Sequence, residues 1–134
     1  MILGHGIDLV NQNRIEIVLE RYGEKFESKY FSKFEINNAN KARMRESVYS
    51  KAWAVKEAFS KALGTGIRGG LFLKDISLIR GKLGKPEIHL NSRSQQKLNE
   101  AFSEWKNMDL HVSLSDEFPW VQASVIIYGR TLRK

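Results

Sequence analysis

The chain has 134 residues, 22 Lys+Arg against 15 Asp+Glu, a net charge of +7 and no cysteine. Disulfides, thiolate metal sites, iron–sulfur ligation and a thiol nucleophile are excluded, and the length suits one domain over residues 1–134. No run approaches the roughly 20 apolar residues of a membrane span, and no basic segment precedes the apolar start, so a cytoplasmic chain with an anionic partner is expected. The positive excess is spread over both halves, with no basic tail.

The apolar residues from Ile2 to Val10 predict a first strand with Asp8 near its end. Asn11 or Asn13 can cap the following helix, whose Ile15, Val18, Leu19 and Tyr22 recur at helical spacing up to Gly23 and leave Arg14 and Arg21 for solvent or a partner. Phe26, Tyr30, Phe31 and Phe34 form an aromatic cluster read as core, and Ser32 with Glu35 fits a capping box. The longest predicted helix runs from Glu46 to Leu63, burying Val48, Ala52, Val55, Phe59 and Ala62, with Gly64 placed to close it in the left-handed conformation.

Beyond the glycines the period falls to two. Ile76 and Leu78 predict a strand, Gly81 to Pro86 a turn, and Glu87 to Leu90 the partner strand. Asn91 or Ser92 can cap a helix carrying Leu98, Phe102 and Trp105 on one face. Leu110, Val112 and Leu114, then Val121, Ala123, Val125 and Ile127, alternate with more polar neighbours as a hairpin around Asp116 to Pro119. The expected architecture is α+β, a small antiparallel-rich sheet packed against the long central helix.

Two groups of residues carry candidate chemistry. Glu57 and Lys61 share a helix face four residues apart; they read either as an exposed ion pair or as a hard oxygen ligand for Mg²⁺ beside a charge for a phosphate. Asp8 reads either as a turn or cap residue or as a second carboxylate for the same ion, since Mg²⁺ needs only one or two protein carboxylates when phosphates complete its shell. His5 and His111 fall in strands and are read as structural.

Gly6-Ile7-Asp8-Leu9-Val10 with Arg14-Ile15, the block Ala54 to Gly66 containing Lys56-Glu57-Ala58, Lys61-Ala62 and Gly64-Thr65-Gly66, then Gly84-Lys85-Pro86 and His111 to Glu117, occur in this order along nearly the whole chain. Together they resemble the holo-[acyl-carrier-protein] synthases, a family of 4'-phosphopantetheinyl transferases. The resemblance implies that family's α+β fold, a homotrimer with active sites between subunits, and transfer of the phosphopantetheine arm of coenzyme A to a serine of apo-acyl-carrier protein in fatty acid biosynthesis, releasing adenosine 3',5'-bisphosphate. It implies Asp8 and Glu57 as Mg²⁺ ligands and Lys61 on the coenzyme A phosphates, these three being the catalytic set. Gly64, Thr65 and Gly66 would border the nucleotide, and Arg14 and Arg21 would dock the acidic carrier.

Ala52 stands where many relatives carry arginine, Asp116 where many carry histidine, and Asn11 where an acidic residue is frequent. The first two departures leave open which cations face the nucleotide, Lys51, Arg68 or a basic residue of another subunit being candidates, and the third would alter the metal's outer shell without removing its two main ligands. Two other readings stand beside the enzyme: a family member that binds coenzyme A without transfer, and a small basic nucleic-acid-binding domain.

Overall fold

The computed structural model describes residues 1–65 and 72–134. In chain order the elements are β1 (Ile2–Asn11), α1 (Gln12–Tyr22), α2 (Glu24–Tyr30), α3 (Lys33–Lys41), α4 (Arg45–Leu63), β2 (Ile76–Arg80), β3 (Pro86–Leu90), α5 (Ser92–Ala101), β4 (Trp105–Glu117) and β5 (Trp120–Leu132). Strands β1, β5 and β4 form an antiparallel sheet in that order, and β2 pairs with β3 in a separate antiparallel ribbon. None of the described helices is long and apolar enough to cross a membrane.

Side-chain alternation decides what each strand offers α4. In β5, Val121, Ala123, Val125 and Ile127 are buried, and β1 sets Gly6, Asp8 and Val10 opposite Val125, Ala123 and Val121. The odd positions His5, Ile7 and Leu9 therefore lie on the other face and are exposed. There His5 Nε2 sits 3.0 Å from Ser124 Oγ, a structural contact on the side of the sheet away from α4.

Helix α4 packs on β1 and β5 and is flanked by α1, α3 and β2. Burial therefore extends well beyond the predicted stripe: Val55 and Phe59 are fully enclosed, Ala52 and Ala62 nearly so, and Tyr49, Ala54, Lys56 and Ala58 join them, whereas Val48 is half-buried. A helix enclosed on several sides loses the polar face that a purely amphipathic pattern predicts. Gly64 closes it at φ 85°, donating its N–H to Lys61 O at 3.0 Å.

The strand and helix meet at bare backbone. A Cβ on Gly6 would lie 1.9 Å from the carbonyl oxygen of Ala58, and one on Gly4 2.0 Å from that of Ala62, so neither position accepts a side chain without separating β1 from α4.

Lys56, fully enclosed, is paid for by complete coordination. Its ammonium donates to Glu35 Oε1 at 2.5 Å, to Leu73 O at 2.9 Å and to Ile76 O. Burial pushes the Lys56 pKa down while the Glu35 carboxylate, and then Asp75, oppose it. Glu35 forms the predicted capping box with Ser32 and also accepts Leu78 N–H at 3.0 Å, so one carboxylate ties α3, α4 and β2 together.

Several local expectations need correction. Phe34 is exposed, and Trp53 from α4 takes its place beside Phe26, Tyr30 and Phe31, because successive short helices α2 and α3 break the assumed continuity of the cluster. Tyr22 at the end of α1 is exposed at 54% rather than buried. Trp105 opens β4 instead of extending α5, which ends at Ala101. Of the two candidate caps at each place, Asn11 caps α1 and Asn91 caps α5.

Gly6→Ala is expected to lower stability by about 1–3 kcal/mol, the usual cost of forcing an extra methyl into a close-packed contact. Chemical denaturation of the variant beside the parent chain measures the loss.

Candidate active site

The inward alternation of β1 carries Asp8 two residues beyond Gly6, and the close approach at Gly6 brings it against α4. On α4, Trp53, Glu57 and Lys61 repeat every four residues and form one row on the side left open by the packing. Lys61 Nζ lies 3.2 Å from Asp8 Oδ1 and donates to Ile7 O at 2.9 Å. The Asp8 side chain is 15% exposed and that of Lys61 54%, so the carboxylate is recessed and the ammonium reaches it from the solvent side.

Both carboxyls are harder to ionise than usual. Burial raises the Asp8 pKa, while the hydrogen bond and charge of Lys61 pull it back. Burial also raises that of Glu57, the neighbouring Asp8 charge raises it further, and Lys61 opposes both. Two half-buried carboxylates that repel one another, with the charge of Lys61 opposing both shifts, have a deficit of positive charge. Hard oxygens in such a setting suit a small divalent cation with open coordination positions. The described residues contain no group of three or more His, Cys, Asp or Glu side chains gathered as a metal cage. That donor set fits an ion completed by water and phosphate better than a closed structural site.

Asp8 and Glu57 line a groove of about 720 Å³ between the end of β1, α1, α2 and α4. Ile15, Val18, Phe26, Tyr30 and Trp53 give it an apolar lining, and Arg14, Lys25 and Lys29 set cations along it. The Tyr30 and Trp53 rings meet edge-on at 5.3 Å and Phe26 lies 5.8 Å from Trp53, which makes that wall rigid. Arg14 lines the groove, whereas Arg21 is exposed two turns further along α1 on the same helical face.

The structure thus brings Asp8, Glu57, Lys61 and Arg14 to one place. Gly64 follows directly at the end of α4, and a Cβ there would meet nothing within 4 Å; its left-handed φ, not crowding, calls for glycine. Thr65 is exposed beside it, and Gly66 and Arg68 lie outside the described residues. Lys51, the residue before the buried Ala52, is paired with Asp116 at 3.5 Å. Asn11 spends its side chain on Asn13 N–H, capping α1 beside Asp8. Lys25, Lys29 and Trp53 were not singled out by pattern, although the four-residue spacings of Lys25 with Lys29 and of Trp53 with Glu57 place each pair on one helical face.

Comparison with known proteins gives this arrangement its family. Residues 4–118 match the 4'-phosphopantetheinyl transferase superfamily profile, and the chain belongs to that superfamily. Among its relatives is the holo-[acyl-carrier-protein] synthase of Erythrobacter litoralis, 44% identical over 131 residues and covering 95% of this chain and 96% of that protein. The crystal structure of the Neisseria meningitidis holo-[acyl-carrier-protein] synthase superposes with a TM-score of 0.85 at 32% identity, covering 95% of this chain and 98% of that one. The Bacillus anthracis enzyme, crystallised in complex with CoA (3',5'-ADP), superposes with a TM-score of 0.79 at 28% identity, covering 97% and 99%.

The raised carboxyl pKa values carry a consequence for stability. Each group holds its proton more tightly folded than unfolded, so its contribution is fully present below the ordinary carboxyl range and is lost as pH rises through the folded values. Glu57→Gln is therefore expected to melt at a higher temperature than the parent at about pH 7, with the gap closing towards about pH 4. Thermal melts of both proteins across that range check the sign.

Proposed function

We propose that the chain transfers the 4'-phosphopantetheine group of coenzyme A to a serine hydroxyl of an apo-acyl-carrier protein, releasing adenosine 3',5'-bisphosphate. The observation that carries this reading is that Asp8 and Glu57, with Lys61 on Asp8, line a groove that also presents apolar side chains and cations. In this reading residues 1–134 are one catalytic domain, acting in the cytoplasm in fatty acid biosynthesis.

The serine Oγ attacks the pantetheine-bearing phosphorus of the pyrophosphate; a new P–O bond forms as the bond to the bridging oxygen breaks, and the nucleotide leaves with the bridging oxygen. Charge gathers on the phosphoryl and leaving oxygens, so electrostatic stabilisation and positioning supply most of the acceleration. Asp8 and Glu57 would hold a Mg²⁺ ion, which when bound would supply positive charge against the pyrophosphate. Lys61 places its ammonium on a phosphate, and its exposed, flexible stem allows that movement. A carboxylate of the pair takes the serine's proton, directly or through water. Gly64, Thr65 and Gly66 border the nucleotide.

Arg14 and Arg21 dock the acidic carrier, with Lys25 and Lys29 extending the cationic surface from α1 onto α2. A homotrimer belongs to the same proposal. Ile7, Leu9, Trp120 and Tyr128 are each 40% or more exposed at positions whose alternation sets them on the sheet face away from α4, an apolar area suited to contact with further copies.

Mass spectrometry of an apo-carrier incubated with the protein, coenzyme A and Mg²⁺ is expected to show the phosphopantetheine adduct. Asp8→Asn and Glu57→Gln are each expected to lower the transfer rate by about a hundredfold or more. Near-parental rates in both would contradict the carboxylate assignment, and coenzyme A binding without adduct would convert the proposal into binding alone.

A further inference from the structure

Two of the lysines on α4, Lys56 and Lys61, have sharply different surroundings. Lys56 is fully enclosed, with three oxygen acceptors around one ammonium, and has no freedom to leave. Lys61 has a half-exposed stem and two contacts, Asp8 Oδ1 at 3.2 Å and Ile7 O at 2.9 Å. Its ammonium thus stands on the carboxylate assigned to the ion, and its charge also acts on Glu57. A divalent cation on Asp8 would face that ammonium at a few ångströms, where like charges repel strongly and are only partly screened at a recessed carboxylate.

We infer that Lys61 is a movable stand-in cation: it holds Asp8 until a donor phosphate draws its ammonium away, so that metal and donor bind cooperatively. This inference rests on the placement of the ion at Asp8 and Glu57 proposed above. The pair is open on the lysine side, where the side chain is 54% exposed, so a phosphate bearing full negative charge can reach the same ammonium and compete for it. Linkage makes the effect reciprocal: whatever factor the donor adds to metal affinity, the metal adds to donor affinity. The arrangement also keeps the carboxylate pair partly neutralised before the substrates arrive.

The test reads metal binding rather than turnover. Mn²⁺ binding, followed by the electron paramagnetic resonance of the free ion, is measured without nucleotide for the parent chain, Lys61→Met, Lys25→Met and Asp8→Asn, and then with coenzyme A for the parent and Lys61→Met. Lys61→Met is expected to bind Mn²⁺ about tenfold more tightly than the parent without nucleotide, and coenzyme A to tighten binding by a larger factor in the parent than in Lys61→Met. Lys25→Met removes a cation of the groove that Asp8 and Glu57 line, and is expected to change Mn²⁺ binding much less.

Equal Mn²⁺ affinities for the parent and Lys61→Met would overturn the inference. Equal tightening in Lys25→Met and Lys61→Met would also overturn it, because a general field effect would then account for the gain. Asp8→Asn separates the two readings: weakened binding there with no effect of Lys61→Met defeats the stand-in role alone, whereas undiminished binding in Asp8→Asn defeats the placement of the ion on which it rests.

Discussion

The structure depends on a contact from which side chains are missing. At Gly4 and Gly6 the backbone of β1 lies against the carbonyls of Ala62 and Ala58, closer than any Cβ permits. That spacing turns a strand beside a helix into a site. Asp8 is one pleat period past Gly6, so whatever sets the distance between β1 and α4 at Gly6 also sets how near Asp8 comes to Glu57 and Lys61. Small residues on both elements, glycine on the strand and alanine on the helix, make this approach compatible with a close-packed core. The sheet and α4 are rigid supports, and a pair of carboxylates held by rigid elements keeps its geometry without a substrate to organise it.

The charges follow a related logic of unequal satisfaction. Within one turn and a half of α4, Lys56 has every donor occupied in the interior while Lys61 reaches outward to a single carboxylate and a carbonyl. The first arrangement joins α3 and β2 to the central helix; the second leaves a cation able to change partners. Asp8 and Glu57, half-buried and mutually repulsive, are less comfortable folded than free, a cost that functional sites commonly carry against the stability of the whole. The net charge of +7 acquires a location through this contrast: Arg14, Lys25 and Lys29 line the groove leading to a negative pair, a layout suited to steering an acidic partner towards a centre that itself needs a cation.

Much of this was visible in the sequence wherever the signal is periodic or local. The alternation in β1 and β5, the span of α4, its glycine stop and the Ser32–Glu35 box depend on neighbours within a few residues, and they appear as expected. The proximity of Glu57 and Lys61 follows from helical spacing, but that of Asp8 to Lys61 spans 53 positions and entered through family resemblance. The interior role of Lys56 was hidden because its partners Glu35, Leu73 and Ile76 come from separate segments, and a lysine reads as surface by default. Phe34 and Trp53 exchanged roles for the same reason: the break between α2 and α3 redirects one ring to solvent, and the helix that supplies its replacement is distant in sequence. The Lys51–Asp116 pair, joining α4 to the end of β4, likewise has no local signature.

In the proposed reaction Asp8 of the strand and Glu57 of the helix would together hold one divalent ion near the donor's pyrophosphate. A crystal structure of the chain with Mn²⁺ and coenzyme A, read through the anomalous difference density of the metal, tests it most directly. The expected result is a peak within coordinating distance of both Asp8 and Glu57, with Lys61 turned from Asp8 to a phosphate oxygen. A peak remote from either carboxylate, with the Lys61–Asp8 contact intact beside bound coenzyme A, would contradict it.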